Sequence, residues 1–281
     1  MFDINPRATV VHEYNIPITR LGKPINLIPI SDVHYGCAAH STTHWQEDIR
    51  KWKATNKDNY YIFLGDTLEL ESDSERKALR GLHDTSLVRY DDVAQQLNQR
   101  FIHEIGFMQG RIIGCLEGNH RHEFQDASTD TMRLCRALDT KHLGVIAFIK
   151  LNFWYCKKRR GSIDIVAWHG NTGGGYTVGA SFNILQRVSA WSGADIVMSG
   201  HDHKKGVLSE SKFAGTKDGH ILDRRVLLAK TGSYLRTYVA GEETYFAPRA
   251  AFPLEIGSIT IEMTPRETKD KGFHVDLNYR G

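Results

Sequence analysis

Short apolar runs alternate along the chain with segments of helical period, and that alternation predicts an α/β fold. The run Asn26-Leu27-Ile28-Pro29-Ile30 predicts a buried strand ending at Ser31-Asp32, and Tyr60-Tyr61-Ile62-Phe63-Leu64 a second ending at Gly65-Asp66. Between them Thr42 or Thr43 can cap a helix with Trp45, Ile49 and Trp52 on one face, which completes a strand-helix-strand crossover. Helical spacing of Val93, Leu97, Phe101, Ile105 and Met108 predicts a helix over Val88 to Met108, and a strand from Arg111 to Leu116 follows. Val145 to Tyr155 and Ile163 to Trp168 read as a hairpin closed by Lys157-Lys158-Arg159-Arg160-Gly161. A helix from Val178 to Ala190, a strand from Asp195 to Met198, and strands over Arg225–Lys230 and Gly257–Met263 complete the pattern.

Five of these strands run directly into polar turns: Ser31-Asp32-Val33-His34, Gly65-Asp66, Glu117-Gly118-Asn119-His120, His169-Gly170 and Gly200-His201-Asp202-His203. Ligands of open α/β sheets bind beyond the carboxyl ends of strands, so five such turns predict one shared cleft. Asp32, His34, Asp66, Asn119, His169, His201 and His203 form a mixed nitrogen and oxygen donor set without thiolates, which suits manganese, iron(II), nickel or zinc better than an all-oxygen cage for magnesium or calcium. Seven ligands are too many for one ion and suit two divalent ions, most naturally Mn²⁺, sharing a carboxylate. Such a pair attracts a phosphate and acidifies a water held between the ions, which predicts phosphoryl chemistry. His120, next to Asn119, is the natural acid for the leaving group, and Glu69 stands where it can orient it.

Composition changes this picture little. With 41% hydrophobic and 25% charged residues the 281-residue chain is an ordinary globular sequence, neither disordered nor membrane-embedded. The start, MFDINPRATVVHEYN, lacks the apolar stretch of a secretory signal, and a cytoplasmic location without a membrane partner is expected. Cys37, Cys115, Cys135 and Cys156 are scattered and read as reduced thiols. A formal charge of +3 neither demands nor excludes a polyanionic partner. His40, His44, His83, His103, His122 and His142 lie outside the polar turns and read as surface or packed residues. Lys157 to Arg160 read as a solvated hairpin tip, and Gly173-Gly174-Gly175-Tyr176-Thr177, without a P-loop lysine, as an active-site rim.

The blocks Asp32-Val33-His34, Gly65-Asp66-Thr67-Leu68-Glu69, Gly118-Asn119-His120, Trp168-His169-Gly170 and Gly200-His201-Asp202-His203 together resemble the calcineurin-like metallophosphoesterase family, in the family's order. The resemblance implies an α/β fold in which two mixed sheets form a sandwich flanked by helices, with metals at the carboxyl ends of strands. It implies that Asp32, His34 and His203 hold one ion, that Asn119, His169 and His201 hold the other, and that Asp66 bridges them. His120 would be the acid and Glu69 its orienting partner. The expected organisation is one domain over residues 1–281, with the motifs in 25–205 and a β-rich part, 206–281, completing the sandwich.

Departures from the family bear on substrate. Its protein phosphatases continue the second block with Asp-Arg-Gly and the third with Glu, where this chain has Glu69-Leu70-Glu71 and Arg121, so a phosphoprotein is not the expected substrate. Arg121 and His122 put donors beside the acid, and Arg121 is the candidate phosphate contact. The expected activity is a phosphodiesterase or nuclease acting on nucleic acid or nucleotides. Its alternatives are a phosphomonoesterase of nucleotides or metabolites, and a silent accessory scaffold. A lipid-linked nucleotide hydrolase would require an apolar lid, which Leu79 to Tyr90 does not supply.

Overall fold

In the computed structural model, which describes residues 10–70, 84–170, 178–215, 219, 221–241, 252–269 and 271–281, the apolar runs form two mixed sheets. The first contains, in spatial order, β1 (Val11–Pro17), β5 (Ile146–Tyr155), β6 (Lys158–Trp168), β7 (Ile196–Ser199), β9 (Ile221–Ser233) and β10 (Gly257–Ser258), with β8 (Lys205–Gly215) also paired to β9. The second runs β12 (Gly272–Arg280), β11 (Thr260–Thr268), β2 (Ile25–Ile30), β3 (Asn59–Phe63) and β4 (Ile112–Cys115). Among the described residues four α-helices flank them: α1 (Thr42–Thr55), α2 (Asp84–Ile105), α3 (Asp130–Ala137) and α4 (Val178–Ser192).

Alternation along the strands explains the layering. Leu27, Tyr60 and Ile62 of the second sheet share one buried cluster with Ile149, Leu151, Ile165, Ile196 and Leu227 of the first, so the two sheets face each other. The alternate residues Ile28, Ile30, Tyr61 and Phe63 pack with Trp45 and Ile49 of α1 and Phe101 and Ile105 of α2. Val166, Val197 and Leu228 pack with Leu185 and Val188 of α4. The result is a helix, sheet, sheet, helix order of layers, the fold expected above. β8 and β9 join the first sheet and β11 and β12 the second, so residues beyond the last motif supply strands to both.

Several local expectations need correction. Thr42 and Thr43 lie inside α1; Ser41 occupies its cap position but makes no capping bond, because its hydroxyl is engaged with His44 Nδ1 at 2.8 Å. Val93 is exposed and the neighbouring Ala94 is buried in its place, while Leu97, Phe101, Ile105 and Met108 follow the expected face. The β5–β6 hairpin turns on Cys156 and Lys157 alone, both with positive φ (51° and 63°), rather than on a five-residue loop. Such a two-residue turn matches strand twist, and it places Arg159 and Arg160 within β6, where Arg160 pairs with Glu267 of β11. The basic run is thus half of the turn and the start of β6. Strands β1, β8 and β12 were not expected: β1 turns His12 and Tyr14 to its more buried side, which hides the apolar alternation.

Candidate metal centre

Parallel pairing brings the carboxyl ends of β2, β3 and β4 to one edge of the second sheet, and those of β6 and β7 to one edge of the first. Backbone bonds join the loops that follow: Asp32 N–H donates to Gly65 O (3.1 Å), His34 N–H to Asp66 O (3.0 Å) and Gly200 N–H to His169 O (2.8 Å). Two further bonds cross between the sheets, from His201 N–H to Asp32 Oδ2 (2.8 Å) and from His169 Nδ1 to Leu64 O (2.7 Å). All seven residues singled out as ligands are gathered there. Asp32, His34 and His203 form one cluster and Asp66, His169 and His201 another, the donor atoms of each lying within 4.8 Å of one another. Asn119 completes the second, its Oδ1 lying 2.9 Å from both His169 Nε2 and His201 Nδ1.

The local backbone is bent to make this possible. Asp32, His34, Asp66, His201 and His203 all have positive φ, between 47° and 70°. A non-glycine residue in that region costs on the order of 1 kcal/mol, and five together are tolerated only because the surrounding bonds hold them. Close approach also explains a motif glycine. A Cβ on Gly118 would fall inside the van der Waals contact of Asp66 Oδ1, which leaves no room for any other residue.

Donor chemistry tests whether the clusters fit a cation. His34 gives its Nδ1 to Glu69, so its Nε2 turns a lone pair toward Asp32 Oδ1, 3.9 Å away. Both atoms are buried; His34 Nε2 makes no hydrogen bond, and Asp32 Oδ1 has His203 Nε2 at 3.3 Å beside it, so a carboxylate oxygen and two imidazole nitrogens face one another as the ligands of a cation would. In the second cluster His169 donates from Nδ1 to a carbonyl, so its Nε2 meets Asn119 Oδ1, His201 Nδ1 at 3.2 Å and Asp66 Oδ2 at 3.1 Å. These four nitrogen and oxygen atoms face one another closely, an arrangement that shared protons or a metal can satisfy. Burial works against charging His169, but Asp66 outweighs it and raises the imidazole to about 9. Burial likewise opposes ionisation of Asp32 and Asp66, yet His203 beside the first and His169 beside the second hold both carboxyls well below the usual range. His201 is shifted the other way, lowered by its burial and then by the charge of His169. A metal entering the second cluster would take the place of the His169 proton.

Glu69 reaches two imidazoles, and the closer contact is with His34. Its Oε1 lies 3.5 Å from His120 Nδ1. Burial raises this carboxyl, but the hydrogen bonds from His120 and His34 outweigh it and hold it at about 2. His120 is anchored through its own N–H to Asp66 Oδ1 at 2.9 Å, and its side chain keeps 19% exposure, where His34 keeps 3%. Arg121 is half-buried, and its charge acts on Glu117. His122 does not face the cleft: its Nε2 lies 2.6 Å from Asp91 Oδ1 and its N–H donates to Asp130 Oδ1. His40, His44 and His142 are likewise engaged away from the clusters, with Val33 O, Ser41 Oγ and Glu117 Oε1.

Several residues that support the site carry no sequence motif. Ser31 Oγ donates to Asp32 Oδ2, while Ser233 Oγ and Tyr234 N–H both donate to Asp32 O, at 2.9 and 3.0 Å. Glu117, two residues before Asn119, accepts from Thr129 Oγ1 (2.6 Å) and faces His142 Nε2 (2.7 Å). Behind it Asp130 is buried, and burial together with the Glu117 charge pushes its carboxyl up to about 7. Its pKa is raised on folding from 3.8, so the stability it contributes is fully present below pH 3.8 and is lost as pH rises through about 7. Between pH 5 and 7 the loss is about 2 kcal/mol, at about 1.4 kcal/mol per unit. Urea unfolding of wild type and Asp130→Asn at both pH values checks this: the variant should lack that part of the slope, and identical slopes would sink it.

Residues 171–177, which hold the expected glycine-rich rim, lie outside the described residues, as do Glu71 and residues 79–83 of the segment weighed as a lid. No helix among the described residues is long and apolar enough to cross a membrane. No protein-family model matches the chain, and no curated protein matches it. Solved structures similar to it include the calcineurin-like phosphoesterase YfkN from Bacillus subtilis, at 12% identity and a TM-score of 0.40, covering 92% of this chain and 90% of that one. Vps29 from Entamoeba histolytica in complex with Zn²⁺ aligns at 14% identity and a TM-score of 0.37, over 91% and 99% of the two chains. A predicted phosphoesterase from Streptococcus pneumoniae TIGR4 aligns at 14% identity and a TM-score of 0.35, over 92% and 99%.

Proposed function

We propose that this chain is a metal-dependent phosphoesterase of the calcineurin-like type, acting on phosphodiesters of nucleic acid or nucleotides. The observation that carries the reading is the convergence of side-chain donor atoms from seven residues, five of them buried, into two clusters, with the more exposed His120 nearby. Asp32, His34 and His203 would hold one ion, and Asn119, His169 and His201 the other. Asp66 is the residue suited to share: its Oδ2 faces His169, and its charge is felt at both Asp32 and His34. The nitrogen-rich, thiolate-free set favours Mn²⁺, with Fe²⁺, Zn²⁺ or Ni²⁺ as substitutes. Two such ions supply Lewis acidity toward the phosphoryl oxygens and toward the attacking water.

The remaining work falls to the chain's own groups. His120, with Nδ1 turned to Glu69, would protonate the leaving oxygen. Glu69, whose Oε1 lies 3.5 Å from His120 Nδ1, would orient that ring. The diester preference rests on the missing protein-phosphatase signature at Glu69-Leu70-Glu71 and Arg121.

The test is hydrolysis of mono- and bis-p-nitrophenyl phosphate by EDTA-stripped protein resupplied with Mn²⁺, Fe²⁺, Zn²⁺, Ni²⁺ or Mg²⁺. Metal-restored diester cleavage supports the proposal and justifies a screen of single-stranded DNA and cyclic nucleotides. Monoester preference would move the substrate to nucleotides or phosphorylated metabolites. Inactivity with every metal would sink the enzymatic reading and leave an accessory scaffold. His120→Ala should lower kcat by roughly 10²- to 10⁴-fold while Mn²⁺ affinity stays the same; a parallel loss of metal would make His120 a ligand instead.

A further inference from the structure

Lysine is almost never fully buried unless it is paired, yet Lys230 near the end of β9 is 4% exposed. Its ammonium lies 3.0 Å from Asp202 Oδ2 and donates to Ser199 Oγ at 2.9 Å. Ser199 is the residue directly opposite Lys230 where β7 pairs with β9, and it is the last of β7 before the turn that carries His201 and His203. Asp202 stands between those two histidines, and its Oδ1 accepts from Lys204 N–H at 3.4 Å, so the carboxylate braces the turn from within. Both histidines sit at positive φ, 70° and 57°, conformations that the chain does not keep without an external restraint.

We infer that Lys230 is the positioning residue for the metal centre: by tethering Asp202 it holds His201 in one cluster and His203 in the other. The inference rests on the reading of those histidines as ligands. It explains why a buried charge is retained in β9, far in sequence from every motif, where an apolar residue would serve packing equally well. It also sets Lys230 apart from Glu69, which among the seven proposed ligands contacts only His34, of the first cluster. Loss of Lys230 should weaken both.

The experiment is calorimetric titration of metal-free protein with MnCl₂, comparing wild type, Lys230→Met, Asp202→Asn and the double variant Lys230→Met/Asp202→Leu. Lys230→Met leaves the Asp202 carboxylate without its partner and is exposed to folding failure. The double variant removes both charges, and replacing a buried ion pair with apolar residues is often neutral for stability. Circular dichroism and thermal melting of the metal-free proteins establish which variants fold. In the folded double variant both Mn²⁺ binding events should weaken 10- to 100-fold, the range seen when residues that orient ligands are lost. Asp202→Asn, which can still accept from Lys230, should weaken them less. A double variant that folds and binds both ions as wild type does overturns the inference, as does one that loses a single site. If wild type itself binds no Mn²⁺, the reading of the centre fails, and that result is distinct from a failure confined to Lys230.

Discussion

Asp66→Asn is expected to abolish turnover and to remove metal from the centre while leaving the fold in place. The substitution keeps the volume of a buried side chain, and an amide oxygen can still accept the His120 N–H bond that Asp66 Oδ1 now receives at 2.9 Å. What it removes is the negative charge facing His169 Nε2 at 3.1 Å and acting on His34. Two divalent ions near one another need that charge between them. Residues that act as one unit fail together, so the drop in kcat/KM should approach the whole enzymatic acceleration and not a fraction of it. Binding offers a readout that does not depend on substrate. Mn²⁺ at 100 times its dissociation constant stabilises a folded protein by about 2.7 kcal/mol, which shows as a raised melting temperature. Wild type should show this shift and Asp66→Asn should not. A variant with wild-type turnover and a wild-type metal shift would remove Asp66 from the centre.

The parts of this site that could be read from the sequence are those in which chemistry and local structure coincide. Asp32, Asp66, Asn119, His169 and His201 each follow an apolar strand within a few residues, and a polar ligand at the end of a buried run is visible without a structure. The parts that escaped reading depend on partners distant along the chain. Ser233 and Tyr234 hold Asp32 O from about 200 residues away, and Lys230 reaches Asp202 from a neighbouring strand. Nothing in their local sequence marks them, since a serine or lysine in a strand has many uses. Glu69 could be read only in part: its place after Asp66 pointed to His120, whereas its closer contact, with His34, depends on how the two loops pair through Glu69 N–H and Tyr35 O. The β5–β6 turn was misread because five consecutive basic and glycine residues look like a loop. The two positive-φ residues that close it, a cysteine and a lysine, are not the usual turn formers.

Gly200→Ala should damage the protein more than any other single methyl group added to a motif turn on the β7 side. The backbone at Gly200 does not need glycine for its dihedral angles; it needs the space. A Cβ there would fall inside the van der Waals contact of Ser31 Oγ and lie 2.5 Å from Asp32 Oδ2, the oxygen that accepts from both Ser31 Oγ and His201 N–H. Relief requires moving the loop after β2 away from the loop after β7, and that movement breaks the 2.8 Å bond joining the two sheets at the centre. Overpacking costs about 1–3 kcal/mol and stranding a buried acceptor about as much again, so a loss of roughly 2–6 kcal/mol in urea unfolding is expected. Mn²⁺ binding should disappear with it, because Asp32 and His201 belong to different clusters and both shift. Gly179→Ala provides the contrast: it lies in α4 with nothing within 4 Å of the added carbon, and it should be stabilising by about 0.5–1 kcal/mol through helix propensity. If Gly200→Ala instead unfolds at the wild-type urea concentration and still binds Mn²⁺, the close approach of the two loops is not what fixes glycine at this position, and the meeting of Asp32 with His201 across the sheets would have to be maintained by other contacts.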